Sequence, residues 1–164
     1  MYLGSSEIKR RILEERLLEN CSIENVQGAG YDLKIEKLFL IDSPAFLGTK
    51  EQKLPDLREM EYPGSAFKLA PDKYYLCLTR ESVNMPDDLI AFILPRSTLF
   101  RCGVSLRTAV VDPGYRGALT LGIKNEGALE FRLQRGARIA QIVFSEVMGD
   151  AAQYSGKYQG GKVV

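Results

Sequence analysis

The chain of 164 residues contains no histidine. That absence excludes a Ser-His-Asp or Cys-His nucleophile system and histidine-ligated zinc. Cysteine is scarce: Cys21, Cys77 and Cys102 lie far apart, with no C-x-x-C pair. The H-x-E and P-C-x-x-C signature of zinc-dependent nucleobase deaminases is therefore missing. An odd, scattered set of thiols reads as reduced, partly buried cysteines of a cytosolic protein. Charge of one sign is not in excess either. Lys plus Arg number 22 and Asp plus Glu 21, a net charge of +1. A protein that grips polynucleotide phosphates usually carries a basic excess or stripe, so no nucleic-acid partner is expected. Long apolar runs are also lacking. A run such as "LIAFIL" (89–94) is far too short to span a bilayer, and the N-terminus has no apolar h-region. The expectation is a soluble cytoplasmic protein with no membrane partner.

The length fits one domain, residues 1–164, able to bury a core without disulfides. Residues 5–19, "SSEIKRRILEERLLE", predict an amphipathic helix. Ser5 or Ser6 would cap it, Glu7 would sit in its first turn, and Ile8, Ile12, Leu13 and Leu17 would share one face. After Gly28 and Gly30 the period shortens. "YDLKIEKLFLI" (31–41), "YYLCLTRE" (74–81), "DLIAFILP" (88–95), "GVSLRT" (103–108), "GALTLGIKN" (117–125), "ALEFRL" (128–133) and "RIAQIVFSEV" (138–147) read as strands. "NMPDD", "DPGYRG", "NEG" and "QRGA" punctuate them. Residues 42–65 read as a long irregular excursion. Short strands at this spacing argue for an all-β barrel or sandwich with a helix in front. The tail 153–164, "QYSGKYQGGKVV", reads either as a disordered terminus or as a mobile glycine-rich arm that closes over an anion.

Asp112 opens the stretch "VVDPGYRGALTLGIKN" (110–125). Asp-Pro-Gly is first of all turn chemistry. "PRSTLFR" (95–101) presents guanidinium, hydroxyl and backbone N–H groups directly after an apolar strand, a set that suits phosphate oxygens. "RGARIAQIVF" adds Arg138 and Gln141 at a strand start. One acid, several phosphate-type donors and a basic glycine-rich tail point to phosphoanhydride chemistry on a nucleotide.

Five stretches in this order resemble the superfamily of trimeric dUTPases and zinc-free dCTP deaminases: "GAGYDL" (28–33), "PRSTLFR", "VVDPGYRGALTLGIKN", "RGARIAQIVF" and "GKYQGGK" (156–162). The opening helix is similar to that of dCTP deaminases and archaeal-type dUTPases. The resemblance implies a mainly β, distorted jelly roll or barrel with an N-terminal helix. It also implies a homotrimer with active sites shared between subunits, and Mg2+ on the substrate. Arg96, Ser97 and Thr98 would hold phosphates, with Arg101 close by, and Arg138 and Gln141 would point at the triphosphate. Asp112 would activate water, and Tyr115 would pack beneath deoxyribose. Thr120, Leu121 and Gly122 would offer backbone groups to the pyrimidine. Asp32 would assist magnesium or the local network, and Lys157, Tyr158, Gln159, Gly160 and Gly161 would form the closing arm. The resemblance further implies a glutamate at position 122 in the deaminases. Gly122 cannot supply the acid/base that zinc-free deamination needs, and Glu126 lies beyond the strand's end. The expected activity is hydrolysis of dUTP to dUMP and pyrophosphate. The rivals are a dCTP deaminase, a bifunctional deaminase/dUTPase, and a non-catalytic nucleotide-binding protein. The tail "KYQGGKVV" resembles the deaminase-type arm, without the phenylalanine that stacks on uracil in ordinary dUTPases.

Overall fold

The computed structural model describes residues 1–164. Helix α1 (Ser5–Glu15) is followed by β1 (Leu18–Glu19), a single 3₁₀ turn (Ile23–Asn25), β2 (Val26–Gln27) and the long β3 (Gly30–Ile41). The excursion holds β4 (Phe46–Leu47), β5 (Gln52–Lys53) and β6 (Leu57–Glu59). Then come β7 (Phe67–Leu69), β8 (Tyr74–Asn84), β9 (Leu89–Pro95), α2 (Ser97–Arg101), β10 (Val104–Arg107), β11 (Val110–Val111), β12 (Arg116–Asn125), β13 (Phe131–Leu133) and β14 (Arg138–Glu146). No helix is long and apolar enough to cross a membrane.

The main sheet is antiparallel and runs β10-β12-β8-β3-β14-β9-β11. Strand β3 joins its two halves: Tyr31–Lys34 pair with β14, and Ile35–Leu40 pair with β8. This curled sheet closes over 31 buried hydrophobic residues, as the expected jelly-roll or barrel class requires. Gly30 is fixed by this closure. A Cβ there would lie 2.7 Å from the Ile142 carbonyl oxygen and 2.9 Å from Gln141 Cγ, so only glycine lets β3 start this close to β14.

The helix is shorter than its apolar pattern. Arg16 turns left-handed (φ 54°), ending α1 at Glu15. That turn lets both Leu17 and Leu18 enter the core, and Leu18 pairs with Val83. Helical continuation would have put one of them in water. Leu13, expected on the buried face, is exposed. Neither Ser5 nor Ser6 caps the helix. Gly4 holds that position, and the Ser5 N–H donates to the Gly28 carbonyl. The excursion is less irregular than its composition suggests, because β6 pairs with Phe39–Ile41 and β4 with β5. The pattern also missed β7, three residues long, which pairs with β13. The three cysteines are unpaired. Burial pushes the Cys77 thiol up to about 12.

Alternation along β8 turns Tyr75, Cys77, Thr79, Glu81 and Val83 inward. Glu81 is thus a fully buried acid. It accepts the Lys34 N–H at 2.9 Å and the Tyr31 hydroxyl at 3.2 Å. Loss of water holds its carboxyl above the ordinary carboxylate range. A carboxyl raised in this way stabilises the fold below its unfolded pKa and loses that contribution as pH rises through the folded value. Glu81→Gln stays neutral. Its thermal stability is expected to improve relative to the parent chain on going from about pH 5 to about pH 8. The difference in Tm should widen by a few degrees, since ~1 kcal/mol moves Tm by about 2–4 °C at this size. A pH-independent difference would contradict the buried-charge reading.

Candidate active site

The Asp112 turn is both a turn and a cavity wall. The Tyr115 N–H donates to the Asp112 carbonyl at 3.2 Å, Pro113 follows Asp112, and Gly114 takes φ 78°. Proline second and a positive-φ glycine third define a type II turn. The geometry leaves the Asp112 carboxylate exposed at the rim of a 270 Å³ cavity. Val110, Val111, Tyr115, Leu119, Thr120 and Leu121 form its inner wall. Asp112 is the one acid among its lining residues.

Tyr115 is held rigidly. Its hydroxyl donates to the Ala118 carbonyl at 2.8 Å, and its ring meets Tyr154 edge-on at 5.3 Å. Burial raises its phenol above the ordinary tyrosine range. The Thr120 hydroxyl oxygen is buried against the same cavity with no hydrogen-bond partner. Buried polar atoms are otherwise almost always satisfied, so this one is available to a bound molecule.

Gly122 does not line the cavity. It pairs with Arg107 and Leu76, and Tyr74 reaches over it. A Cβ at 122 would overlap the Tyr74 hydroxyl and approach its Cζ to 2.7 Å. The space of the missing side chain is therefore filled. Glu126 is also engaged elsewhere, bonded to Ser105 and Lys124 and held below the ordinary carboxylate range first of all by Lys124.

The phosphate-type residues gather at a second place. Gln27, Asp32, Leu94, Pro95, Arg96, Ser97 and Gln141 line a shallow cavity of 300 Å³. Proline ends β9, Arg96 precedes α2, and Ser97 and Thr98 open that one-turn helix with N–H groups that have no helical partner. Asp32 is buried, and its Oδ2 accepts from both Arg96 and Arg138, the latter at 3.2 Å. The register opposite Gln141 puts Asp32 there. The carboxylate expected to assist magnesium or the local network thus holds two guanidinium groups. Nowhere do three or more His, Cys, Asp or Glu side chains gather into a metal site. Arg101 lines neither cavity and lies 5.7 Å from the Phe100 ring centroid.

The two cavities lie on opposite sides of β9. Ile93 faces the Asp112 cavity and Leu94, the next residue, faces the Arg96 cavity. One copy of the chain does not bring the two groups together.

The tail is docked. The Tyr154 N–H donates to the Pro113 carbonyl, the Gly160 N–H to the Arg116 carbonyl, and the Arg116 N–H to Gln159 Oε1, each at 2.8 Å. Tyr154, Tyr158, Lys162 and Val163 complete the Asp112 cavity. Lys157 does not reach it. Its Nζ sits 4.9 Å from the Tyr158 ring centroid. Lys162 belongs to the basic glycine-rich arm read from the sequence, whereas Tyr154 and Val163 were not singled out. The available signal was an aromatic, basic tail with no core periodicity.

The family model of dCTP deaminase-like domains matches residues 2–147. The chain belongs to the dCTP deaminase-like family. Curated family members carry two different names. A protein of Methanothermobacter thermautotrophicus, described as a probable deoxyuridine 5'-triphosphate nucleotidohydrolase, is 42% identical over 136 residues, 83% of this chain and 89% of that one. A dCTP deaminase of Pyrococcus furiosus is 37% identical over 151 residues, 92% and 88% of the two chains. Among solved structures, the dCTP deaminase of Agrobacterium tumefaciens shares the fold, with a TM-score of 0.69 at 20% identity over 87% of this chain. This chain spans about half of that protein's length, 47%.

Proposed function

We propose that the chain hydrolyses dUTP to dUMP and pyrophosphate, with Asp112 activating the attacking water. The observation that carries this reading is the lone carboxylate in the nucleoside-sized cavity, with no second acid beside it and the position-122 space filled by Tyr74. Phosphoanhydride hydrolysis needs one base and much positive charge. Deamination of cytosine without zinc needs an acid/base at the base edge. The relatives named as nucleotidohydrolases point the same way.

In this reading the pyrimidine lies along Thr120 and Leu121, with the Thr120 hydroxyl as an added donor or acceptor. Tyr115, locked by Ala118 and Tyr154, packs beneath the sugar and leaves no room for a 2′-hydroxyl. Asp112 takes a proton from water aimed at a phosphorus. Arg96, Ser97, Thr98, Arg138 and Gln141 hold phosphate oxygens, and Asp32 keeps the two guanidinium groups oriented. Because those residues lie across β9, they would serve a nucleotide held by the Asp112 side of a neighbouring copy. A homotrimer closes such a ring, and the exposed Phe92, Leu94 and Val110 on β9 and β11 are apolar surface for its interfaces. Magnesium fits as part of the substrate. Mg2+ keeps most of its waters and needs few protein ligands, which suits a chain without an acid cluster, and it supplies charge neutralisation along the phosphates. The enzyme would act on the soluble nucleotide pool of the cytoplasm.

Pyrophosphate release from dUTP and from UTP, each with magnesium, tests the reading. Preference for dUTP by about tenfold or more is expected. Equal rates would remove Tyr115 as the sugar selector, and no release from either would sink the hydrolase. Restoring the acid alone is expected to fail. Gly122→Glu should release no ammonia from dCTP and should lose about 1–3 kcal/mol of stability, because its Cβ drives Tyr74 from its place. Steady ammonia release by this variant would mean that Tyr74 yields freely.

A further inference from the structure

The arm meets the Asp112 turn backbone against backbone. Gly117 has φ 135°, and a Cβ there would overlap the Gly161 nitrogen and lie 2.6 Å from the Gly160 carbonyl carbon and 2.8 Å from Gly161 Cα. From the other side, a Cβ on Gly161 would lie 2.8 Å from the Ala118 nitrogen. Gly114 adds a third close approach, where a Cβ would lie 2.9 Å from Gln153 Cβ. Around these contacts Gln159 spans the turn, its Oε1 accepting from the Arg116 N–H and its Nε2 donating to the Gly114 carbonyl at 3.0 Å. Glycine is needed on both faces because the approach is closer than any side chain allows.

The consequence is positional. The residue after the Gly160–Gly161 contact is Lys162, and Lys162 and Val163 line the Asp112 cavity while the earlier Lys157 does not. We propose that Lys162 is the arm's anion-binding cation at this site, and that Gly117 is the positioning residue whose bare backbone seats Gly161 and so delivers it. The ligand class is a phosphate-bearing nucleotide. A flexible ammonium on a docked arm can follow phosphate oxygens as a point charge. The docking itself involves only groups of this chain, so it stands or falls apart from the choice of dUTP as substrate.

Two measurements separate these claims. The first needs no nucleotide: limited trypsin cleavage after Lys157 in the full chain. Gly117→Ala is expected to raise the cleavage rate about tenfold, with the far-ultraviolet circular dichroism unchanged. Parent-like protection would overturn the docking. The second is steady-state hydrolysis of magnesium dUTP. Lys162→Gln is expected to raise KM about tenfold with kcat kept within about threefold, as loss of a charged contact made before and during reaction predicts. Gly117→Ala should do the same, and the double variant should be no worse than Gly117→Ala alone. Multiplying losses in the double variant, or an unchanged KM in Lys162→Gln, would overturn the assignment of Lys162. Gly161→Ala, which approaches the same contact from the arm, provides a second route should Gly117→Ala fail to fold. It should likewise expose Lys157 to trypsin, and parent-like protection in that variant would overturn the docking. If dUTP proves not to be hydrolysed, the proteolysis still decides the docking.

Discussion

Asp112→Asn should fold, assemble and bind nucleotide as the parent does, and lose about 10²–10⁴-fold in kcat. The amide occupies the same space at the exposed head of the turn, and the turn is held by backbone groups: the Tyr115 N–H on the Asp112 carbonyl and the Gly114 N–H on the Met85 carbonyl. What the variant lacks is a group able to take a proton from water. No other carboxylate lines the cavity to replace it. Pre-steady-state hydrolysis and equilibrium binding of a non-hydrolysable dUTP analogue, measured side by side, check this. Loss of binding along with turnover would make Asp112 a binding group, and kcat near the parent value would remove it as the base.

Arg96→Ala is expected to be the most damaging change on the phosphate side. Asp32 is buried, and Arg96 is one of two guanidinium groups that pair with it. Truncation leaves that carboxylate with Arg138 alone, which is about half-exposed. A hydrogen bond to a charged partner is worth about 1.5–3 kcal/mol, and Tm should fall accordingly. kcat/KM should fall about 10²–10³-fold, because the variant removes the proposed phosphate donor and takes away one of the two guanidinium groups on Asp32. The split of the two cavities across β9 gives a sharper result. Mixing Arg96→Ala with Asp112→Asn copies, each inactive alone, should restore activity in about a quarter of the sites after random reassembly. No recovery from mixed assemblies of correct size would place both residues in a site made by one copy.

Much of the sheet was legible because alternation is a local property. The strands at 31–41, 74–81, 88–95, 117–125 and 138–147 have their counterparts in β3, β8, β9, β12 and β14. The failures came where distant contacts decide. "LL" at 17–18 extends a helical pattern, yet the demand that both leucines be buried ended the helix at Glu15. "FKL" at 67–69 is too short to carry a period and becomes a strand only through β13. At the site, residue types were legible but grouping was not. Arg96 and Asp112 are close in sequence, and nothing local says that β9 separates them. Gly122 read as an empty place. That Tyr74, across the β12–β8 ladder, fills it depends on register. The tail has no periodicity, so its docking rests on glycines at 114, 117 and 161 whose partners lie more than thirty residues away in the chain.

In the proposed reaction the site cleaves a phosphoanhydride and leaves the base untouched. The most direct test incubates the purified protein and magnesium with dUTP and, separately, with dCTP, and resolves nucleotides, pyrophosphate and ammonia. The expected result is dUMP and pyrophosphate from dUTP, with no ammonia from dCTP. Ammonia from dCTP, with dUTP or dUMP as product, would mean that another group performs the acid/base step, and that the filled space over Gly122 does not mark the loss of deamination.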